Sequence, residues 1–104
     1  MKIKTIFILI LLNLQSISFA DVEAIYDWDN EEFDGDIYIG EVNESGFIHG
    51  IGIYYFKNGD TAEGEFKNGQ QSGYGLQSLN DGNSYKGEIY RWERNGYGIA
   101  YFSD

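Results

Sequence analysis

From Ile37 onward, apolar and polar residues alternate with a period of two in runs of about six, each run broken by glycine, asparagine or aspartate. That period belongs to strands, not to helices. The runs predict strands at 37–42, 51–56, 61–66, 74–79, 84–89 and 97–102. Asn58-Gly59 and Asp81-Gly82 each separate two runs, and such pairs favour two-residue type I′ turns, whose central residues both need positive φ. The segments 43–50, 67–73 and 90–96 read as longer polar loops that end in glycine. Every connection is short, so successive strands must lie side by side and antiparallel. The expected fold is all-β: a single-layer, twisted antiparallel meander of β-hairpins.

The glycines recur at a spacing of 23 to 24 residues. Gly-Glu pairs stand at Gly40, Gly64 and Gly87, Gly-x-Gly units at Gly50/Gly52, Gly73/Gly75 and Gly96/Gly98, and turn glycines at Gly59 and Gly82, with Gly35 ahead of them. A fixed period of this length signals a stack of repeats, not a globule built round a pocket.

Counting outward from two-residue turns sets Tyr55 against Ala62, Ile53 against Gly64 and Ile51 against Phe66, then Ser78 against Tyr85 and Tyr74 against Ile89. That register gathers one aromatic and aliphatic face: Tyr38, Val42, Ile51, Ile53, Tyr55, Phe66, Tyr74, Leu76, Tyr85, Ile89, Tyr97, Ile99 and Tyr101, crossed by Gly40, Gly64 and Gly87. Glycine inside a strand costs stability, so the row is expected to make room for bulky neighbours. The other face is expected to carry Glu41, Glu65 and Glu88 towards solvent, with Glu63, Gln77, Lys86, Ile37, Ile39, Tyr54, Phe56, Leu79 and Phe102.

Residues 1–20 change the picture of where this sheet works. Lys2 and Lys4 precede the apolar run 6–12, and a polar stretch ends in Ser18-Phe19-Ala20, the layout of a cleavable signal peptide. The expected destination is the periplasm or the medium. Residues 21–36 form an acidic entry segment, in which residues 24–28 read either as a degenerate half repeat capping the first strand or as a frayed terminus; residues 37–104 hold three repeats.

The formal charge is −10, with 7 basic and 17 acidic side chains. Such a surface repels nucleic acid and anionic lipid head groups. There is no cysteine, so export would bring no disulfide, and stability must come from packing and backbone hydrogen bonds.

Catalytic and metal chemistry find little support. His49 is the only histidine and reads as a polar residue capping the Gly-x-Gly turn; no histidine pair or Ser-His couple can be built from it. The acidic run from Asp27 fails as an EF-hand, because its sixth and twelfth positions are Glu32 and Tyr38; weak cation binding is the alternative to a merely solvated segment. Glu63 and Glu65 lie on one face of an open strand, without the cleft a glycosidase needs. The Gly-x-Gly units precede strands and not helices, so they are not phosphate loops. No cofactor is called for.

In its repeating residues the chain resembles the MORN (membrane occupation and recognition nexus) repeat. The pattern is met by Tyr38-x-Gly40-Glu41, His49-Gly50-x-Gly52 and Asn58-Gly59-Asp60; by Gly64-Glu65-Phe66, Lys67-Asn68-Gly69, Gly73-x-Gly75 and Asp81-Gly82; and by Tyr85-x-Gly87-Glu88 and Gly96-x-Gly98. Ala62 stands where the family prefers tyrosine, and Val42 and Ile89 where it prefers an aromatic residue. The resemblance implies a sheet of hairpins used for protein association, with membrane or phosphoinositide binding in some members.

The expected function is non-catalytic protein binding through the exposed aromatic face, with Tyr38, Tyr55, Phe66, Tyr74, Tyr85, Tyr97 and Tyr101 as the contact residues. Two alternatives stand beside it. One is self-assembly through the last run, where Tyr97, Ile99, Tyr101 and Phe102 form an apolar edge without proline or lysine. The other is a lipid- or cation-linked surface protein of the cell envelope.

Overall fold

The computed structural model describes residues 24–27 and 35–103. They form one open antiparallel sheet in strict sequence order: β1 (Ala24–Asp27), β2 (Ile37–Val42), β3 (Ile48–Tyr55), β4 (Thr61–Lys67), β5 (Gln70–Ser78), β6 (Ser84–Tyr90) and β7 (Glu93–Tyr101). No helix occurs among the described residues. The all-β meander expected from the alternation is therefore the fold, with β1 added at its start. Ala24 pairs with Gly40 and Tyr26 with Tyr38, so β1 stands to β2 as Gly52–Tyr55 stands to β4. The signal-like segment 1–20 lies outside the described residues.

Turn chemistry departs from expectation, and the departure moves the register. Around Asn58-Gly59, Gly59 N–H donates to Phe56 O (3.0 Å) and Phe56 N–H to Asp60 O (2.9 Å). This is a three-residue loop in which only Gly59, at φ +98°, is left-handed, a type I turn closed by a glycine bulge. Leu79 to Asn83 repeats it, with bonds of 3.0 and 2.8 Å. The true two-residue turns with both central φ positive are Asn68-Gly69 and Arg91-Trp92, inside segments expected to be long loops. Strands β3, β5 and β7 accordingly begin three or four residues earlier than predicted.

One extra loop residue in each Asp/Asn-Gly hairpin shifts the pairing by one, and a shift of one exchanges the faces of a strand. Ala62 faces Tyr54 instead of Tyr55, Glu63 faces Ile53, and Gly64 faces Gly52. Gln77 faces Tyr85 and Gly75 faces Gly87. The glycines thus pair with each other in one row across the sheet: Gly40, Gly52, Gly64, Gly75, Gly87 and Gly98.

The core lies on the face that carries this row, called here the inner face. Tyr38, Ile48, Tyr54, Ala62 and Phe66 are buried together, with Val42, Phe56 and Trp92 packed against them. Trp92 reaches the rings of Tyr54 (5.5 Å), Phe56 (5.6 Å) and Phe66 (5.9 Å) edge to face. It follows β6, three strand spacings from β3, or roughly 14 Å in a flat sheet. The sheet is therefore rolled towards its inner face, and its own aromatics fill the roll. Trp92 sits at φ +72°, a strained conformation for a bulky residue. Its ring contacts and the bond from its N–H to Gln71 O (2.8 Å) hold it there.

Candidate functional site

The Gly-Glu pairs mark a bulge. Between Gly40 and Val42 the register skips, so that Glu41 faces His49, Gly50 and Ile51 together; Glu65 and Glu88 sit at the same place in β4 and β6. A bulge leaves backbone donors without a ladder partner. Each glutamate supplies one: Glu41 accepts the N–H of Ile51, Glu65 that of Tyr74 at 2.6 Å, and Glu88 that of Tyr97. Their carboxylates lie against Gly50, Gly73 and Gly96, where a Cβ would collide with them. The three acids, expected as a solvated ladder of like charge, are bulge-closing groups.

Tyrosine closes the other side. Tyr38 donates its hydroxyl to Glu41 O (2.7 Å) and Tyr85 to Glu88 O (2.8 Å), and each ring covers the position a Cβ would take on Gly52 or Gly98. In the middle copy Ala62 cannot reach, and Gln71 takes over. It is fully buried, donates to Glu63 O (3.1 Å) and lies over Gly75, while Gln77 donates to its Oε1 (3.0 Å) and to Trp92 O (2.7 Å). The departure at Ala62 is thus compensated by a buried amide network with every group bonded.

The expected aromatic contact row is two rows on opposite faces. Tyr38, Phe66 and Tyr85 lie on the inner face, 0%, 1% and 6% exposed; Tyr38 and Tyr85 are core residues because the glycine row beneath them admits their rings, and Phe66 packs against Tyr38 and Trp92. Tyr55, Tyr74, Tyr97 and Tyr101 lie on the outer face, where Tyr55 is half-buried and the other three exposed. Tyr54 and Phe56, assigned to the polar face, belong to the core side. His49 accepts the N–H of Asn68 (3.2 Å), so it braces the β4–β5 turn and not its own Gly-x-Gly.

The outer face is graded. Ile39 and Ile53 are buried, but towards β7 the side chains emerge: Tyr74 is 55% exposed, Tyr97 89% and Ile99 59%. There Tyr74, Lys86, Glu88, Tyr97, Gly98 and Ile99 line an open depression of about 450 Å³. Lys86 and Ile99 join it because they pair directly across β6 and β7. Only the glycine-to-glycine register, hidden behind the turn type, could have brought Lys86 to these tyrosines.

Burial raises the pKa of Glu63 above its ordinary 4.5, with Lys86 opposing the rise, and burial followed by the Glu63 charge raises that of Tyr55. A carboxyl whose folded pKa is raised is stabilised as the acid. Its charge penalty is absent below pH 4.5 and sets in as pH climbs through the folded value. Glu63→Gln is therefore expected to raise the melting temperature at pH 7 slightly, and the difference from the parent should vanish below pH 4.5 in a melting series over pH.

Repeat hardware also stitches the turn end of the sheet. Asp36 accepts Lys57 N–H, Asp60 accepts Asn80 N–H and Asn83 accepts Ser103 N–H, each at 2.8 Å. No curated protein matches the chain. The family model of the MORN repeat matches residues 38–61 and 63–84. These two stretches, β2 with β3 and β4 with β5 in the rolled sheet, are each similar to a MORN repeat.

Proposed function

We propose that this chain is an exported, non-catalytic module that binds a protein partner through the β5–β7 region of its outer face. MORN repeats are commonly protein- or membrane-interaction modules. The observation that carries the protein reading is the exposed cluster of Tyr74, Tyr97 and Ile99 round the depression, with exposed Tyr101 further along β7. Large exposed aromatics of this kind form the energetic centres of protein interfaces. The inner face is filled by the chain's own rings, which leaves the outer one for a partner. A charge of −10 disfavours an anionic bilayer in the same role.

Residues 84–102 are read as a third repeat. Supporting this, the β6–β7 pair carries the same bulge, the same glutamate-to-backbone bond and the same tyrosine over glycine as β2–β3. Export rests on the signal-like layout of residues 1–20.

The test is capture of a partner by the tagged chain without residues 1–20, compared with a Tyr74→Ala, Tyr97→Ala double variant. Loss of at least tenfold in affinity with an unchanged far-UV circular dichroism spectrum is expected. Undiminished binding by the variant would place the interface elsewhere.

A further inference from the structure

We propose that β7 pairs with β7 of a second copy, antiparallel, with Gly98 opposite Gly98 of that copy. No described strand lies beyond β7, and all nine of its residues are exposed. Its outer edge is ready to bond. In β3 and β5, N–H groups alternate between the following and the preceding strand: Phe56 and Leu79 donate forward, and Ile51 and Tyr74 backward to the glutamates. In β7, Tyr97 and Ser103 donate backward. By the same alternation Gly98, Ala100 and Phe102 donate outward.

The occupant follows from topology and register. The sheet has seven antiparallel strands, so β1 and β7 run the same way. Stacking copies head to tail would then make a parallel pair, or an antiparallel one only with inner and outer faces exchanged. A two-fold axis normal to the sheet joins β7 to β7 antiparallel with both faces continuous, the isologous arrangement of ordinary dimers. Every interior pair of the repeats sets glycine against glycine. Continuing that row places Gly98 on the axis, which makes it a hydrogen-bonded pair with its counterpart.

Tyr97 then directly faces Ile99 of the second copy in a non-hydrogen-bonded pair, where side chains come closest. Two exposed Tyr97 and two exposed Ile99 side chains cover one another. Residues 93–103 contain one acid, Glu93, and one base, Arg94. The edge is electrically neutral in a strongly acidic chain, so two copies meet there with little repulsion. Residues 93–103 carry neither the proline nor the lysine that proteins use to prevent such pairing.

The chain has no cysteine, so single introduced cysteines report the register. Tyr97→Cys and Ile99→Cys chains, mixed and oxidised, are expected to cross-link several-fold more than either alone, and light scattering on the parent should give the mass of two copies. Ala100→Pro, which removes an outward donor, and Ile99→Lys, an exposed change that spares the backbone, should each give the mass of one. A parent that stays monomeric, a dimer unaffected by both variants, or cross-linking indifferent to the pairing would each overturn the proposal. Because Tyr74 lies two strands from this edge, partner capture by a Tyr74→Ala chain is read independently of dimer formation.

Discussion

Gly64→Ala is expected to cost about 4 kcal/mol, the sum of backbone strain and overpacking at about 1–3 kcal/mol each. Gly64 lies at φ +129° in the bulge, and its Cβ would stand 2.5 Å from Tyr74 O and 2.7 Å from Gly75 Cα. Both obstacles are backbone of β5, which cannot swing aside as a side chain could. A sheet of this size is stable by roughly 4–10 kcal/mol, so the variant should be largely unfolded or retain a small fraction of its resistance to urea. Gly69→Ala is the control. Gly69 also has a positive φ, +93°, but its Cβ would meet only Phe47 Cδ1 at 3.9 Å. It should cost only the left-handed penalty of about 1–2 kcal/mol. Urea midpoints of the two variants decide the matter, and equal losses would mean that close approach of the strands is not what the in-strand glycines provide.

Phe66→Ala is expected to lose about 3–5 kcal/mol, the usual cost of removing a buried aromatic ring and leaving its cavity. Phe66 is 1% exposed and meets Tyr38 (5.4 Å) and Trp92 (5.9 Å) edge to face, so its loss also frees the two rings that close the roll. Tyr97→Ala, on the opposite face and 89% exposed, should change the stability of the folded chain by no more than about 0.5 kcal/mol. The comparison is to be made below the concentration at which copies associate. Alternation along the chain groups these two residues in one row, and the structure separates them. Thermal or urea melts of the pair check that separation directly: similar losses would return both residues to one face.

The division of roles among the aromatics bears on function. Tyr38 and Tyr85 are spent on the core because the strand glycines leave room for their rings, and Phe66 because it packs between Tyr38 and Trp92. Tyr74, Tyr97 and Tyr101, at positions where no facing glycine and no overlying turn receives them, remain available to a partner. The partner site proposed above therefore draws on the outer face near the last strands, while the inner face is occupied by the core.

Much of this was legible in the residues themselves. Period-two alternation, short connections and glycines at a 23-residue spacing determined an antiparallel meander in sequence order, because no other arrangement satisfies strands joined by so few residues. They also determined that the Gly-Glu and Gly-x-Gly positions are equivalent from copy to copy. The face each side chain occupies was decided in three dimensions. Asn58-Gly59 fits a two-residue and a three-residue hairpin equally well by composition, and the choice between them shifts every pair by one and exchanges the faces. Gln71 standing in for the tyrosine missing at Ala62, and Trp92 folding from its turn across to Tyr54 and Phe56, depend on the roll of the sheet. That roll arises from bulges whose bonds join residues nine or ten positions apart, and a local pattern does not contain it.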